Sequence, residues 1–305
     1  MTAASAPQSA GGGAMRTPSR KPFDRRRAGL HAFLIVVSVL WLFPLVWSIY
    51  TSLRPLHETT EDGYFSLPRT LNLDNYVNAW NDAELARYFL NTVIIVVPAV
   101  IIVLFLASMM AFACTRYSWR FNLAMLMLFT ALNLMPPQII IQPLFRIYLN
   151  LPVPSPLSDN GLLFDQYLGI ILIHIAFQLG FCTFVLSNYM KTIPRELNEA
   201  AIVDGATVWT TFSRVLLPLT KPALAALATL EVTFIYNDFF WALMLMTTGS
   251  KLPITTALNN LKGQFFINNN LIAAGAVLVA LPTLVVYFVL QKQFISGLTL
   301  GSTKG

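Results

Sequence analysis

Charge is scarce in this chain. Asp, Glu, Lys and Arg make up only 11% of its 305 residues, against about a quarter in soluble globular domains, and that deficit excludes a water-soluble fold. The 20 Lys and Arg outnumber the 14 Asp and Glu, yet they form no basic face on a soluble segment, so no nucleic acid partner is expected. Cysteine is nearly absent. Cys114 and Cys182 fall inside apolar stretches without a CxxC or Cys/His cluster, and they read as small core residues. The three histidines, His31, His57 and His174, show no HExxH spacing and no carboxylate close in sequence, so no metal site is expected. Ser108, Ser187 and His174 lack any nucleophile–base motif around them, which leaves no catalytic residue to name. No GxxxxGKS/T segment is present, so this chain is not expected to hydrolyse ATP itself. No internal repeat stands out either, which withholds support from an inverted-repeat secondary transporter.

What the chain has is apolar length. Hydrophobic residues make up 56% of it, with 22 phenylalanines, and the mean hydropathy is +0.62. Residues 1–29 form an Ala/Gly/Ser/Pro-rich tail that turns basic from Arg16 to Arg27, a composition expected to stay disordered. Six apolar runs follow, at Leu30–Tyr50, Asn91–Ala113, Phe121–Leu149, Leu168–Tyr189, Pro222–Thr247 and Leu271–Lys292. Each is near or above the roughly 20 residues needed to cross a bilayer as a helix. The first is too long for a signal-peptide core and lacks a small-residue cleavage site, so it is expected to remain as a span. The fold class expected is thus an all-α polytopic membrane protein with six transmembrane helices, in contact with membrane lipid. Residues 30–293 form the membrane domain and 294–305 a C-terminal tail.

Orientation follows from the basic residues. With the N-terminus inside, the tail, 114–120, 188–222 and the C-terminus together hold fourteen of the 20 Lys and Arg, which favours an N-in, C-in topology. The longest outer loop, 51–90, contains Leu71–Trp80, a polar and aromatic stretch suited to short surface helices. Tyr76 and Trp80 there fit interfacial anchors.

The segment between spans four and five, 188–222, is the most patterned part of the chain. Pro194 suits a first helical turn, Glu196 and Glu199 favour a helix N-terminus, and Gly205 offers the left-handed conformation that ends a helix. Thr207 is suited to cap a second helix, on which Trp209, Phe212, Val215 and Leu216 recur at three- and four-residue spacing until Pro218 breaks the pattern. A helix–turn–helix facing the cytoplasm is expected. Periodicity leaves two uses open: an amphipathic helix lying on lipid headgroups, or a knob inserted into a groove of a soluble partner.

The residue order is more specific. Glu199-Ala200-Ala201, three residues, Gly205, nine residues, Val215, one residue, and Leu217-Pro218 resemble the EAA loop of type I ATP-binding-cassette importers, with Val where Ile is usual. Asp204-Gly205-Ala206, Leu216-Leu217-Pro218 and Pro222 look like the sugar-importer branch. Tyr236-Asn237-Asp238-Phe239-Phe240-Trp241 looks like that branch's Trp-Asn-Asp-Phe signature, with Tyr236 where Trp is common and Ala242 where Pro is common. The closing Gly297–Gly305 resembles the tail of the smaller maltose-transporter-type permease. The resemblance implies a permease of the bacterial cytoplasmic membrane that works with three kinds of protein partner. A second, similar permease completes the path, and two ATPase subunits bind ATP and Mg. An extracytoplasmic solute-binding protein delivers the cargo. Glu199 to Val215 dock in a cleft of the ATPase, and Ser302 and Thr303 touch it. No cofactor is implied on this chain.

Polar residues inside the spans complete the candidates. Glu231 and Asp238 lie seven residues apart, as if on one face of span five, with Asn237 beside the second. Intramembrane carboxylates cost about 2.5–3.5 kcal/mol on insertion scales and usually face a cavity or a partner. Pro136-Pro137 in span three remove two backbone donors and kink or interrupt the helix between Asn133 and Gln138. Glu231, Asn237, Asp238, Asn133 and Gln138 are therefore expected along a translocation path, structural hydrogen bonding being the competing role. His174 and Gln178 share a face of span four with the same ambiguity. The alternative function is an ion-coupled secondary transporter that uses Glu231 and Asp238.

Overall fold

The computed structural model describes residues 25–117, 120–133, 135–258 and 267–299. The expectations for the first part of the N-terminal tail and for Ser302 and Thr303 lie outside these residues. The chain divides into two compact units, 1–47 and 48–305. The first holds most of helix α1 (Arg25–Ser52), which carries Pro44 inside it and a stacked Phe43–Trp47 pair with ring centroids 5.8 Å apart.

The described residues of the second unit form helices joined by turns and loops, with one isolated bridge between Pro152 and Leu162. Its helices are α2 (Leu56–Asp62), α3 (Asp74–Asp82), α4 (Leu85–Arg116), α5 (Asn122–Asn133), α6 (Pro137–Asn150) and α7 (Tyr167–Met190). They continue as α8 (Glu196–Val203), α9 (Val208–Leu219) and α10 (Lys221–Tyr236), then α11 (Phe240–Leu245), α12 (Ile254–Ala257) and α13 (Asn269–Thr299).

Helix α4 is the spine, packed along α7. Its residues Ile95, Ala99, Val103, Ala107 and Ala111 recur every four positions and are all buried. The alanines let the backbones approach closely, as small residues do between membrane helices. From α7 the same two clusters take Ile170, Ile173, Cys182, Leu186 and Met190. Gly180 of α7 packs against α5, where an added Cβ would lie 2.9 Å from the Phe129 carbonyl oxygen. Helix α13 packs on α10 and α3, and the Tyr236 hydroxyl donates to the Val279 carbonyl at 2.8 Å.

Four helical stretches among the described residues are long and apolar enough to cross a bilayer: Gly29–Ser52, Leu85–Arg116, Tyr167–Met190 and Asn269–Gln291. The count reaches five if α9 and α10, bent by 74°, are taken as one. The two remaining expected spans are interrupted, each for a local reason. Pro136 is extended (φ −60°, ψ 129°) and Pro137 opens α6, because neither nitrogen can donate to the preceding turn. Helix α10 stops at Tyr236 because the Asp238 carboxylate accepts from the Trp241 and Ala242 N–H groups, both at 3.3 Å. It thereby starts α11 instead of letting α10 continue.

Segment 51–90 is folded around a buried ion pair. Arg54 Nη2 lies 3.1 Å from Glu58 Oε1, both side chains almost fully buried, and it also donates to Ser66 Oγ at 2.7 Å. Glu58 accepts from the N–H of Arg69 at 2.6 Å and from that of Thr70 at 3.2 Å. Asn75 Nδ2 ties α3 to the carbonyls of Ser52 and Arg54, and Asn270 of α13 reaches the same Arg54 carbonyl at 2.8 Å. Tyr76 is bound to Ser52 Oγ at 2.7 Å, a role inside the segment that the interfacial expectation did not contain.

The Arg69 N–H acts most strongly on Glu58; burial opposes it, and Thr70 and Arg54 add to it, so the carboxyl is held at about 2 instead of 4.5. A carboxylate with a depressed folded-state pKa stabilises in full above its unfolded pKa and stops doing so as pH falls through the folded one. The melting midpoint of the purified protein, followed by tryptophan fluorescence, is expected to fall between pH 4.5 and pH 2. The Glu58→Gln variant should start lower at neutral pH and show a shallower fall over that interval.

A second polar latch joins the α6–α7 loop to the segment after α11. Asp165, in a left-handed conformation (φ 62°), accepts from the N–H groups of Thr247 at 2.8 Å and Thr248 at 3.0 Å. Burial pushes its carboxyl up, but the Thr248 hydroxyl and these N–H groups outweigh that and hold it below the usual range.

Candidate functional site

The patterned segment emerges from the end of α7 beside the end of α4. Arg116, the last residue of α4, donates through Nη2 to the carbonyls of Met190 (2.9 Å) and Ile193 (3.1 Å). The Met190 carbonyl ends α7 and also accepts from the Ile193 N–H at 3.2 Å, and the Ile193 carbonyl belongs to the turn that follows. Pro194 stands two residues ahead of α8, whose first turn carries Glu196 and Glu199.

Helix α8 ends in a Schellman turn. Gly205 adopts φ 79°, its N–H donates to the Ile202 carbonyl at 3.0 Å, and the Ala206 N–H donates to that of Ala201 at 2.9 Å. These are the two bonds that define the motif, and they account for the spacing of Ala201, Gly205 and Ala206. Thr207 then caps α9, accepting from the Thr210 N–H at 3.2 Å.

Helix α9 departs from expectation in two ways. Its apolar residues do not share one environment: Phe212 and Leu216 are buried, Val215 is half-buried, and Trp209 is 56% exposed. Phe212 meets Phe112 of α4 with ring centroids 5.4 Å apart. Pro218 does not end the helix either. A π-helical turn over Thr211–Leu216 precedes it, and its wider ladder accommodates the proline ring, which in a regular α-helix meets the carbonyl four residues back. The chain bends two residues later, at Thr220. On these two helices Leu197, Ile202, Val203, Val208 and Trp209 are all exposed, as are Glu199, Ala200, Asp204 and Gly205. Leu217 is half-buried and Pro218 exposed.

The intramembrane carboxylates are separated, contrary to the seven-residue argument. The end of α10 at Tyr236 falls between them, so they share no helical face. Glu231 is fully buried and faces α7, where the Cys182 thiol donates to Oε1 at 3.2 Å and Oε2 has no partner. Asp238 sits in the break and lies 3.7 Å from Nε2 of buried His174 on α7. The neighbouring Trp241 packs on Phe177, also of α7, at 5.0 Å. Asn237 is exposed, donating to the Thr233 carbonyl at 2.8 Å, and Gln138 is exposed next to the Pro136 break. Asn133 closes α5, and its side chain lies outside the described ones.

The sequence singled out His174 with Gln178 on one face of span four, but not its pairing with Asp238, and the Arg116 bridge at the α7 terminus had no local signal. Among the described residues, no group of three or more His, Cys, Asp or Glu is arranged to hold a metal. A cavity of about 230 Å³ between Phe129, Met135, Pro136, Phe177 and Gly180 is almost wholly apolar.

Comparison with known proteins then bears on this arrangement. Residues 88–299 match the family described as binding-protein-dependent transport system inner membrane component. A probable ABC transporter permease protein of Pyrococcus horikoshii is 31% identical over 264 residues, covering 86% of this chain and 92% of its own. The diacetylchitobiose uptake system permease protein NgcG of Streptomyces coelicolor is 32% identical over 282 residues, covering 92% and 90%. In structure the chain resembles, with a TM-score of 0.75 and 24% identity, a chain of a bacterial ABC transporter involved in the import of the acidic polysaccharide alginate. That likeness covers 91% of this chain and 100% of the other, and it speaks to the fold. The family match spans the spine, the Schellman turn, both interrupted spans and α13, and on that ground the chain belongs to the inner membrane components of binding-protein-dependent transport systems.

Proposed function

We propose that this chain is one permease subunit of an ATP-driven sugar importer and that residues 188–222 are the handle by which an ATPase drives it. The observation carrying this reading is the exposed apolar patch of Ile202, Val203, Val208 and Trp209, held by a Schellman turn whose Ala201, Gly205 and Ala206 occupy the EAA-type spacing. An exposed apolar cluster on a rigid two-helix element favours helix-in-groove docking over idle exposure. Membership of a binding-protein-dependent family supports a solute-binding protein and an ATPase as partners. The uptake function named for the Streptomyces relative supports an oligosaccharide cargo.

In this proposal six spans cross the bacterial inner membrane N-in and C-in, α5/α6 and α10/α11 each making one interrupted span. A second permease subunit completes the path, and two ATPase subunits bind ATP and Mg outside this chain. The tails 1–29 and 294–305 lie on the ATPase side, where Ser302 and Thr303 reach the ATPase. Asp238, Asn237, Gln138 and Asn133 face the translocation path, whereas Glu231, enclosed against Cys182, ties α10 to α7.

Val203 is 86% exposed, so an added charge there leaves the fold alone. The Val203→Asp variant is expected to express normally but to lose co-purification with its ATPase and about tenfold or more of uptake, since it desolvates a charge in the docked state. Uptake of labelled neutral and N-acetylated di- and trisaccharides into proteoliposomes reads the outcome. Transport that continues without ATP and stops with an uncoupler would establish the ion-coupled alternative instead.

A further inference from the structure

We infer that Arg116 is a positioning residue that tethers the coupling segment to α4, making α4 a second lever between the ATPase and the membrane helices. This rests on the proposed coupling role of residues 188–222. Two of the helices meeting that segment, α7 and α10, join it through the chain itself. Helix α4 does not, and its hold is entirely non-covalent.

That hold acts at two points. At the entry, one Arg116 nitrogen bridges the Met190 and Ile193 carbonyls, and Met190 is fully buried, so the bridge grips the end of α7 and the turn after it together. A guanidinium at the carboxyl end of a helix gains both from charge-assisted bonds to carbonyl oxygens, of which Met190 also accepts from the Ile193 N–H, and from the helix dipole. One turn earlier on α4, Phe112 packs on Phe212 of the docking helix, and Phe105 meets Trp209 edge-on at 6.5 Å. Arg116 therefore holds the segment's entry while the aromatic rings hold α9. Displacement of α9 by a docked ATPase reaches α4 through the rings, and Arg116 keeps the turn at Met190–Ile193 from yielding to it.

Arg116 Nε is buried without a partner. Burying an unpaired donor costs stability, and here the cost accompanies the two-carbonyl bridge formed by Nη2. Lys is a partial substitute, since its ammonium is a point charge without the rigid fork.

The test uses the complete transporter, reconstituted with its second permease and ATPases, and compares ATP hydrolysis with and without the solute-binding protein and the sugar panel. Arg116→Ala is expected to assemble and to keep basal hydrolysis within about twofold. Stimulation by the loaded binding protein should fall about tenfold, the equivalent of about 1.4 kcal/mol of lost coupling. Arg116→Lys is expected to recover part of the stimulation. Unchanged stimulation in Arg116→Ala overturns the inference, and so does an equal loss of basal and stimulated hydrolysis in the Ala and Lys variants, which marks a folding role alone. Should Arg116→Ala fail to assemble, Arg116→Gln, which keeps a donor without the charge, decides by the same two readouts. Val203→Asp separates the premises: if it leaves stimulation intact the coupling reading fails, and if it abolishes stimulation while Arg116→Ala does not, only the α4 tether fails.

Discussion

Replacing Gly205 by proline is expected to abolish ATP-driven uptake while the membrane bundle stays folded. Gly205 holds φ at 79° and donates to the Ile202 carbonyl at 3.0 Å. Proline fixes φ near −65° and has no N–H, so it forfeits both features of the turn at a cost of about 3 kcal/mol or more. A Cβ at this position meets no neighbouring atom within 4 Å. The penalty is therefore one of backbone conformation and the lost N–H bond, without a side-chain clash, and it falls on the angle between α8 and α9. Alanine at φ 79° costs about 1–2 kcal/mol, and asparagine, which visits the left-handed region more readily, costs less. Uptake should rank Gly, Asn, Ala, Pro, with the proline variant down about a hundredfold, while thermal unfolding of the bundle changes little because Gly205 is exposed. A proline variant that transports normally would show that the turn geometry does not carry the coupling.

The rank order is informative because this turn was legible in the sequence. Gly205 and Thr207 act through bonds to residues three positions away and the acidic first turn of α8 through the helix dipole, and such local chemistry is written in order along the chain. The same holds for the Pro136-Pro137 interruption, which needs only the absence of two donors. Hydropathy located all six apolar segments, and α1, α4, α7 and α13 overlie four of them.

What was illegible was set by residues far apart in sequence. Asp238 stops α10 by capping α11 and lies beside His174, a residue of another helix, so the spacing of Glu231 and Asp238 misled by assuming one continuous helix. Arg54 and Glu58 have the i,i+4 spacing of a surface ion pair. Their burial comes from α3 and α13 closing over them through Asn75 and Asn270. Arg116 looked like one of many inside-facing charges that report topology, and only the fold brings it to the carbonyls of α7. The split of the α9 apolar face has a similar cause. A π turn shifts the register between Trp209 and Leu216, and no periodicity count based on 3.6 residues per turn contains it.

Glu231 carries the second large effect. Its side chain is fully enclosed between α10 and α7, with one thiol contact from Cys182. Glu231→Lys buries an ammonium where, among the described residues, Cys182 makes the one hydrogen bond to the native side chain, and an uncompensated buried charge costs about 3–5 kcal/mol. Against a typical total stability of about 5–15 kcal/mol, that is enough to empty most of the folded population, seen as a loss of monodisperse protein in size-exclusion chromatography. Glu231→Gln is nearly isosteric and keeps a carbonyl oxygen to accept from Cys182, so it is expected to assemble and to transport within about twofold of the native chain. The contrast between the two variants bears on mechanism as well as stability. A path wall or an ion-coupling site needs the carboxylate itself, and either role predicts that Gln fails although it folds. A tie between α7 and α10 needs only the shape and the acceptor, and transport by the Gln variant would assign Glu231 to the packing that carries the motion of α10 to α7.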